Sequence, residues 1–288
     1  MKEHKSGLII VNKPVGVSSQ YVVTGVKRAL KAKKAGHTGT LDQMASGVLP
    51  VCLGEATKYA DFLVGASKSY EVKVLFGYRS STGDMEGFCT AYNQKIFDLQ
   101  QMLEVILDFT GEIKQVPPMY SAIKHQGMPL YKYARQGRAI ERAARPVTIN
   151  EIKVLNFTWP WVTLLIDCSK GTYIRTLVED IASALGTYAY VVGLHRTRVA
   201  KFDTSFMQDF AVIKQGVADI FPVEKMLDGL KKVILEKEFE IIFIQGRVLE
   251  TIELDGLVAV FGVSHGFIGL GEVKDGRLRP KRLMSFNR

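Results

Sequence analysis

Cysteine is scarce in this chain: there are three, Cys52, Cys89 and Cys168. Their odd number and their spacing exclude a complete disulfide framework and a thiolate metal site. Each stands beside apolar residues, so buried free thiols in a reducing compartment, the cytoplasm, are expected. Long hydrophobic runs are missing too. The opening segment reaches Asn12-Lys13-Pro14 too soon to form a signal-peptide core, and no apolar stretch has membrane-spanning length, so no membrane association is expected. There is no tandem repeat, low-complexity tract, Walker-type loop or dinucleotide fingerprint, which removes the usual motif-borne case for a nucleotide hydrolase or a dinucleotide-dependent enzyme.

Acid is the charge in short supply. Lys plus Arg number 38 against 29 Asp plus Glu, a net +9, which points to nucleic acid or another polyanion. A length of 288 residues suits one large domain with a small appendage. Within this basic chain one acid, Asp42, stands in a small-residue loop, Gly36-His-Thr-Gly-Thr-Leu-Asp-Gln-Met-Ala-Ser-Gly-Val-Leu-Pro50. Glycine lets backbone approach a ligand closely, and Leu41, Val48 and Leu49 can anchor the flanks, so the carboxylate is positioned for chemistry or else caps a turn.

Leu8 to Val11 has strand character, closed by the Pro14-Val15-Gly16 turn. Ser18 or Ser19 then caps a helix with Val22, Val23, Val26, Ala29 and Leu30 inside, leaving Lys27, Arg28, Lys31, Lys33 and Lys34 exposed at its end. Ser69 to Tyr78 alternates, placing Tyr70, Val72, Val74 and Phe76 on one strand face. Leu99 to Phe109 is a helix opened by the capping-box pair Asp98 and Gln101. The segment 115–145 mixes Tyr120, Tyr131 and Tyr133 with Lys124, Lys132, Arg135 and Arg138, a composition for stacking on bases and meeting phosphates or for a plain surface excursion. Val162 to Cys168 forms a buried strand, and Arg175 falls in the first turn of the helix that follows, where the dipole disfavours a cation and an anionic partner is expected. A charged helix-like stretch follows Phe221-Pro222 to about Lys232. The glycine-punctuated remainder suggests a small β-rich unit leaning on the larger one, with a basic patch at Arg277, Arg279, Lys281 and Arg282.

Six ordered segments carry a resemblance: Asn12-Lys-Pro-Val-Gly-Val-Ser-Ser19, Gly36-His-Thr-Gly-Thr-Leu-Asp42, Gly54-Glu-Ala-Thr-Lys58, Gln115-Val-Pro-Pro-Met-Tyr-Ser-Ala122, Tyr133-Ala-Arg-Gln-Gly137 and Gly171-Thr-Tyr-Ile-Arg175. Together they resemble the bacterial TruB-type tRNA pseudouridine-55 synthase family, and the tail through Gly276-Arg-Leu-Arg-Pro-Lys-Arg-Leu-Met284 resembles its small RNA-binding PUA domain. The resemblance implies an α+β fold. A catalytic domain with a mixed, largely antiparallel sheet would cover 1–233, with 115–145 as an RNA-clamping insertion, and a PUA-like β-rich domain would cover 234–288. It implies isomerisation of uridine 55 in the tRNA T-loop, without metal or cofactor. Asp42 becomes the catalytic aspartate, Arg175 its ion-pair partner, and Tyr70 the tyrosine that packs on the uracil. Tyr173, Leu194 and Lys13 fall to substrate binding, and His37 to the flipped bases of the T-loop, since unstacking must precede chemistry. The remaining histidines, His4, His125, His195 and His265, are surface or structural. The Asp42–Arg175 pair is expected to hold the acid below its usual pKa. The partner is the T-arm of tRNA; no obligate protein partner is implied, and the chain would work as a monomer.

Two positions depart from the family pattern: Gln43 stands where proline is common, and Ala200 where glycine is usual. Two rival readings remain. A tRNA chaperone would use the same surface without turnover, and a glycosidic hydrolase would release uracil. Hydrolases of that kind usually need two carboxylates, and the sequence places no second acid beside Asp42.

Overall fold

The computed structural model describes residues 6–91 and 95–285; His4 lies outside them. The first strand, β1 (Gly7–Lys13), runs antiparallel to β3 (Ala45–Leu53), paired along the whole length of β1. Between them come helix α1 (Ser19–Ala29) and the short β2 (Ala35–His37), which also pairs with β3. Then follow β4 (Lys68–Phe76), helix α2 (Leu99–Asp108), β5 (Gly111–Gln115), helix α3 (Leu130–Arg135), β6 (Arg145–Thr158), β7 (Trp161–Cys168), helix α4 (Ile174–Ala184) and β8 (Ala189–Val199). The large sheet has the order β9-β1-β3-β8-β4-β7-β6-β5, where β9 is Gln208–Asp209. Only the β1–β9 and β3–β8 pairs are parallel, so the sheet is mixed and largely antiparallel, in an α+β fold.

The alternation in β4 does what its pattern requires: Tyr70, Val72, Val74 and Phe76 are buried in one core with Val22, Val23 and Val26 of α1 and Leu177, Val178 and Ile181 of α4. Helix α1 is capped by Ser18, whose side chain accepts from the Tyr21 N–H, and Lys27, Arg28, Lys31, Lys33 and Lys34 are exposed. The capping box of Asp98 and Gln101 on α2 is present in both directions.

Two expectations are corrected, and one open segment is resolved. The stretch after Pro222 is not a helix of that length: a short 3-10 turn, Val223–Met226, gives way to a strand from Lys231, where β-branched Val233 and Ile234 favour extension. Cys52 and Cys168 are buried but Cys89 is exposed, because its strand belongs to a surface hairpin. The segment 115–145 has structure of its own, a hairpin of Lys124–His125 against Met128–Pro129 followed by α3.

A second sheet of five strands closes the chain: β10 (Lys231–Leu235), β11 (Leu249–Glu250), β12 (Gly256–Gly262), β13 (Gly266–Lys274) and β14 (Arg277–Leu283). It has its own core around Phe243, Val260, Ile268 and Leu278. It also leans on the large sheet: Ala259, Phe267 and Leu270 share an apolar cluster with Leu8, Ile10, Val48 and Tyr59. Tyr59 meets Phe267 edge to face at 5.5 Å, and its hydroxyl donates to the Arg282 carbonyl at 3.1 Å.

Candidate active site

Asp42 sits in the loop from β2 to β3, fixed from three sides. Ser19, in the first turn of α1, takes the Leu41 N–H at 2.8 Å and donates to the Leu41 carbonyl at 3.1 Å, tying down the residue before the acid. Lys13, at the end of β1 and wholly buried, donates to the carbonyls of Pro14 (2.9 Å), Gln43 (3.4 Å) and Ala45 (2.6 Å), tying down the residues after it. The Gly16 N–H also reaches the Gln43 carbonyl, at 2.8 Å. Position 43 is therefore held by its backbone, while its side chain points outward. The ammonium of Lys13, the residue expected at the substrate, braces the loop, and burial pulls its pKa down to about 8 against the pull of Asp42.

Arg175 is the centre of the site. Its side chain is buried at the start of α4, and the anionic partner that the helix dipole requires is doubled: Nε lies 3.2 Å from Asp42 Oδ2 and Nη1 lies 3.1 Å from Asp84 Oδ2. The remaining donors meet the carbonyls of Thr82 at 2.9 Å and Tyr120 at 2.7 Å. Asp84 is a second acid that the sequence did not betray, since it stands far from Asp42 in the chain. It accepts from the Thr82 hydroxyl at 2.6 Å and the Glu86 N–H at 3.1 Å as well as from Arg175, so it serves as an acceptor. Glu86 lines a cavity with Asp42, and burial together with Asp84 and Asp42 pushes its pKa up.

The ion pair does not lower the Asp42 pKa below the ordinary value. Burial raises it, and Arg175 opposes that rise without cancelling it, with Asp84 adding to the rise. The carboxylate keeps 40 % of its side-chain surface open to the cavity, yet low-dielectric protein surrounds it on the other sides.

Asp42 stands between two cavities. One, of about 550 Å³, is lined by Tyr70, Tyr173, Leu194, Arg175 and Arg196, with Lys68, Arg145 and Lys170 as further basic groups. The other, of about 490 Å³, is lined by His37, Ser19, Glu86, Tyr131 and Arg135. Tyr120, Ser121 and Ala122 border both, so the 115–145 segment covers the acid from above. Tyr70, Tyr173 and Leu194 are thus gathered on one side of Asp42 and His37 on the other, with Arg175 bordering both. Sheet register brings the first group together: Leu194 lies opposite Ala45 on β3 and Val72 on β4, and Arg196 opposite Gly47 and Tyr70. The Gln115 amide fixes Tyr173, accepting from its N–H at 2.8 Å and donating to its carbonyl at 3.1 Å. Burial pushes the Tyr70 phenol up and pulls His37 down, the latter with help from the Arg196 charge. His195 bonds Ser46 at 2.8 Å and His125 meets the Tyr133 ring, as structural histidines do. His265 is held against buried Glu240 in the small sheet.

Family models match the chain in three consecutive pieces. Residues 27–174 match the N-terminal domain of TruB family pseudouridylate synthase, 175–236 the C-terminal domain of tRNA pseudouridylate synthase B, and 232–284 the C-terminal part of pseudouridine synthase II TruB. The tRNA pseudouridine synthase B of Pasteurella multocida is 39 % identical over 297 residues, covering 98 % of this chain and 96 % of that one. That of Cupriavidus metallidurans is 41 % identical over 294 residues, covering 96 % and 94 %. Among solved structures, a chain of an H/ACA RNP bound to a substrate RNA containing 2′-deoxyuridine superposes with a TM-score of 0.71 at 24 % identity, covering 96 % of this chain and 84 % of that one, a likeness of fold.

Proposed function

The chain belongs to the TruB family of pseudouridylate synthases, and from that premise we propose that it isomerises uridine 55 in the tRNA T-loop, with Asp42 as the catalytic carboxylate acting on a flipped-out uridine. It is a tRNA pseudouridine synthase, an isomerase. The observation that carries the Asp42 assignment is the ion pair with Arg175 at the mouth of a cavity of about 550 Å³ walled by Tyr70, Tyr173 and Leu194. A carboxylate so held can add to C6 of the uracil or engage C1′ of the ribose; either route frees the base to turn, after which C5 bonds to C1′ and loses its proton. Tyr70 packs on the base, and His37, across the acid, occupies the space that the flipped nucleotide leaves.

In the same reading the catalytic domain, expected over 1–233, gives way to the PUA-like RNA-binding domain, expected over 234–288, at β10, which begins at Lys231, and 115–145 clamps the T-arm. The enzyme works as a monomer in the cytoplasm without cofactor. The test is a T-arm RNA carrying tritium at C5 of its uridines. Release into water at constant RNA mass, absent in Asp42→Ala, is the expected result. Tight binding without release from the unsubstituted enzyme would replace the assignment with RNA chaperoning, and free uracil would replace it with hydrolysis.

A further inference from the structure

We propose that Arg196 is a positioning residue for Tyr70, holding the phenol in the orientation in which it faces the same base as Asp42. The proposal rests on the reading above and adds a residue to it. Arg196 is among the largest fully buried side chains, 1 % exposed, in the middle of β8 where neighbouring strands flank it on both sides. An arginine so deep ordinarily pairs with a carboxylate, because a buried cation without one is costly. Here Nε donates to the Val48 carbonyl at 2.7 Å and Nη2 to the Gly39 carbonyl at 3.2 Å, neutral acceptors that fix the guanidinium without neutralising it. Among the described residues no ion pair to a carboxylate is formed by this charge, which borders the cavity beside Asp42; Tyr70 lines the same cavity and is the partner of Arg196 in register on β4, which sets the guanidinium beside the ring.

The surrounding backbone is shaped to admit this arrangement. Gly47, at φ +103°, lies opposite Arg196 on β3, and a Cβ there would stand 2.3 Å from the Arg196 carbonyl oxygen. Gly39, whose carbonyl takes the second bond, leaves Nη1 room beside the loop that carries Asp42. Arg196 is therefore anchored at two points of the β2–β3 connection and of β3, and its remaining edge serves Tyr70. A guanidinium there fixes the ring plane against the uracil and stabilises negative charge on the phenol oxygen.

A purely structural arginine and a positioning one separate in a double-mutant cycle. Single-turnover tritium release from T-arm RNA is measured for the unsubstituted enzyme, Arg196→Lys, Tyr70→Phe and the double variant, with Arg196→Gln as a second probe and with thermal unfolding and RNA affinity as controls. If Arg196 acts through Tyr70, Arg196→Lys slows release about tenfold or more beside Tyr70 but no more than about threefold in the Tyr70→Phe background, at nearly constant RNA affinity. Equal reductions in both backgrounds overturn the proposal, and so does unfolding of both Arg196 variants, which would assign the residue to the fold alone. An unsubstituted enzyme that releases no tritium from T-arm RNA overturns the functional reading itself, a distinct result.

Discussion

Asp42 is poised by two opposed forces. Burial and Asp84 favour its protonated form, and Arg175 and Lys13 favour the carboxylate that the chemistry needs. With the folded pKa raised above the ordinary aspartate value, a rise in pH through it ionises the acid, so kcat/KM should climb along an acid limb displaced upward from that of a free aspartate. Arg175→Gln removes the largest opposing charge and moves the limb further up. A pH profile whose limb falls at or below 3.8 would contradict this. The linkage has a matching sign: stability contributed by a group with a raised folded pKa is present at low pH and lost as pH rises through that pKa. Above that pKa the ionised Asp42 therefore weakens the fold, and Asp42→Asn is expected to abolish tritium release while leaving Tm there equal or higher.

Lys13 gives a second test at this scale. Lys13→Met keeps the apolar stem and removes every donor, stranding the carbonyls of Pro14, Gln43 and Ala45, at a cost of ~1 to 3 kcal/mol in denaturant unfolding. RNA affinity should change little. A large drop in affinity at unchanged stability would return Lys13 to substrate binding.

Among the elements, α1 joins fold and site through adjacent serines. Ser18 caps the helix, whereas Ser19 satisfies both backbone groups of Leu41. Ser18→Ala should cost ~1 kcal/mol of stability and leave turnover intact. Ser19→Ala should cost ~1 to 3 kcal/mol and also slow single-turnover release, because the residue before Asp42 loses its anchor. Equal effects on rate would refute this division of labour. The sequence shows a serine cap here and nothing of the Leu41 clamp, since the two partners are separated by the length of the helix and β2. The same limit hid Asp84 and Arg196, whose roles exist only once β8 lies between β3 and β4. Regular elements were more legible: the alternation of β4 and the capping box of α2 are local signals. Strands β6 and β8 were not, because register shifts at Ile149/Glu151, Val154/Asn156, Val191/Gly193 and Arg196/Arg198 break the period of two. Ala200 shows what its departure from glycine means: φ is +52°, a left-handed conformation that glycine adopts without penalty.

At the scale of the whole molecule, positive charge is carried by three separate parts of the chain. The end of α1 carries Lys27, Arg28, Lys31, Lys33 and Lys34; the cavity carries Lys68, Arg145 and Lys170; β14 exposes Arg277 and Arg279. Of the C-terminal basic residues, Lys281 is tied to Glu272 at 2.8 Å and Arg282 to the Lys58 carbonyl and Asp61, so these two help to hold the structure. Because the seam around Tyr59 and Phe267 docks the small sheet on the large one, a strand of RNA engaging both meets surfaces at a fixed spacing. Arg277 and Arg279 are then phosphate-binding groups distant from the chemistry. Replacing both with Gln should weaken tRNA binding and reduce the slope of log K against log salt by about 0.9 for each phosphate that is no longer neutralised. Single-turnover release at saturating RNA should be unchanged, since Asp42, Arg175 and Tyr70 are untouched. A lowered saturated rate with an unaltered salt slope would mean that the small sheet acts on the site through the seam and not by holding RNA.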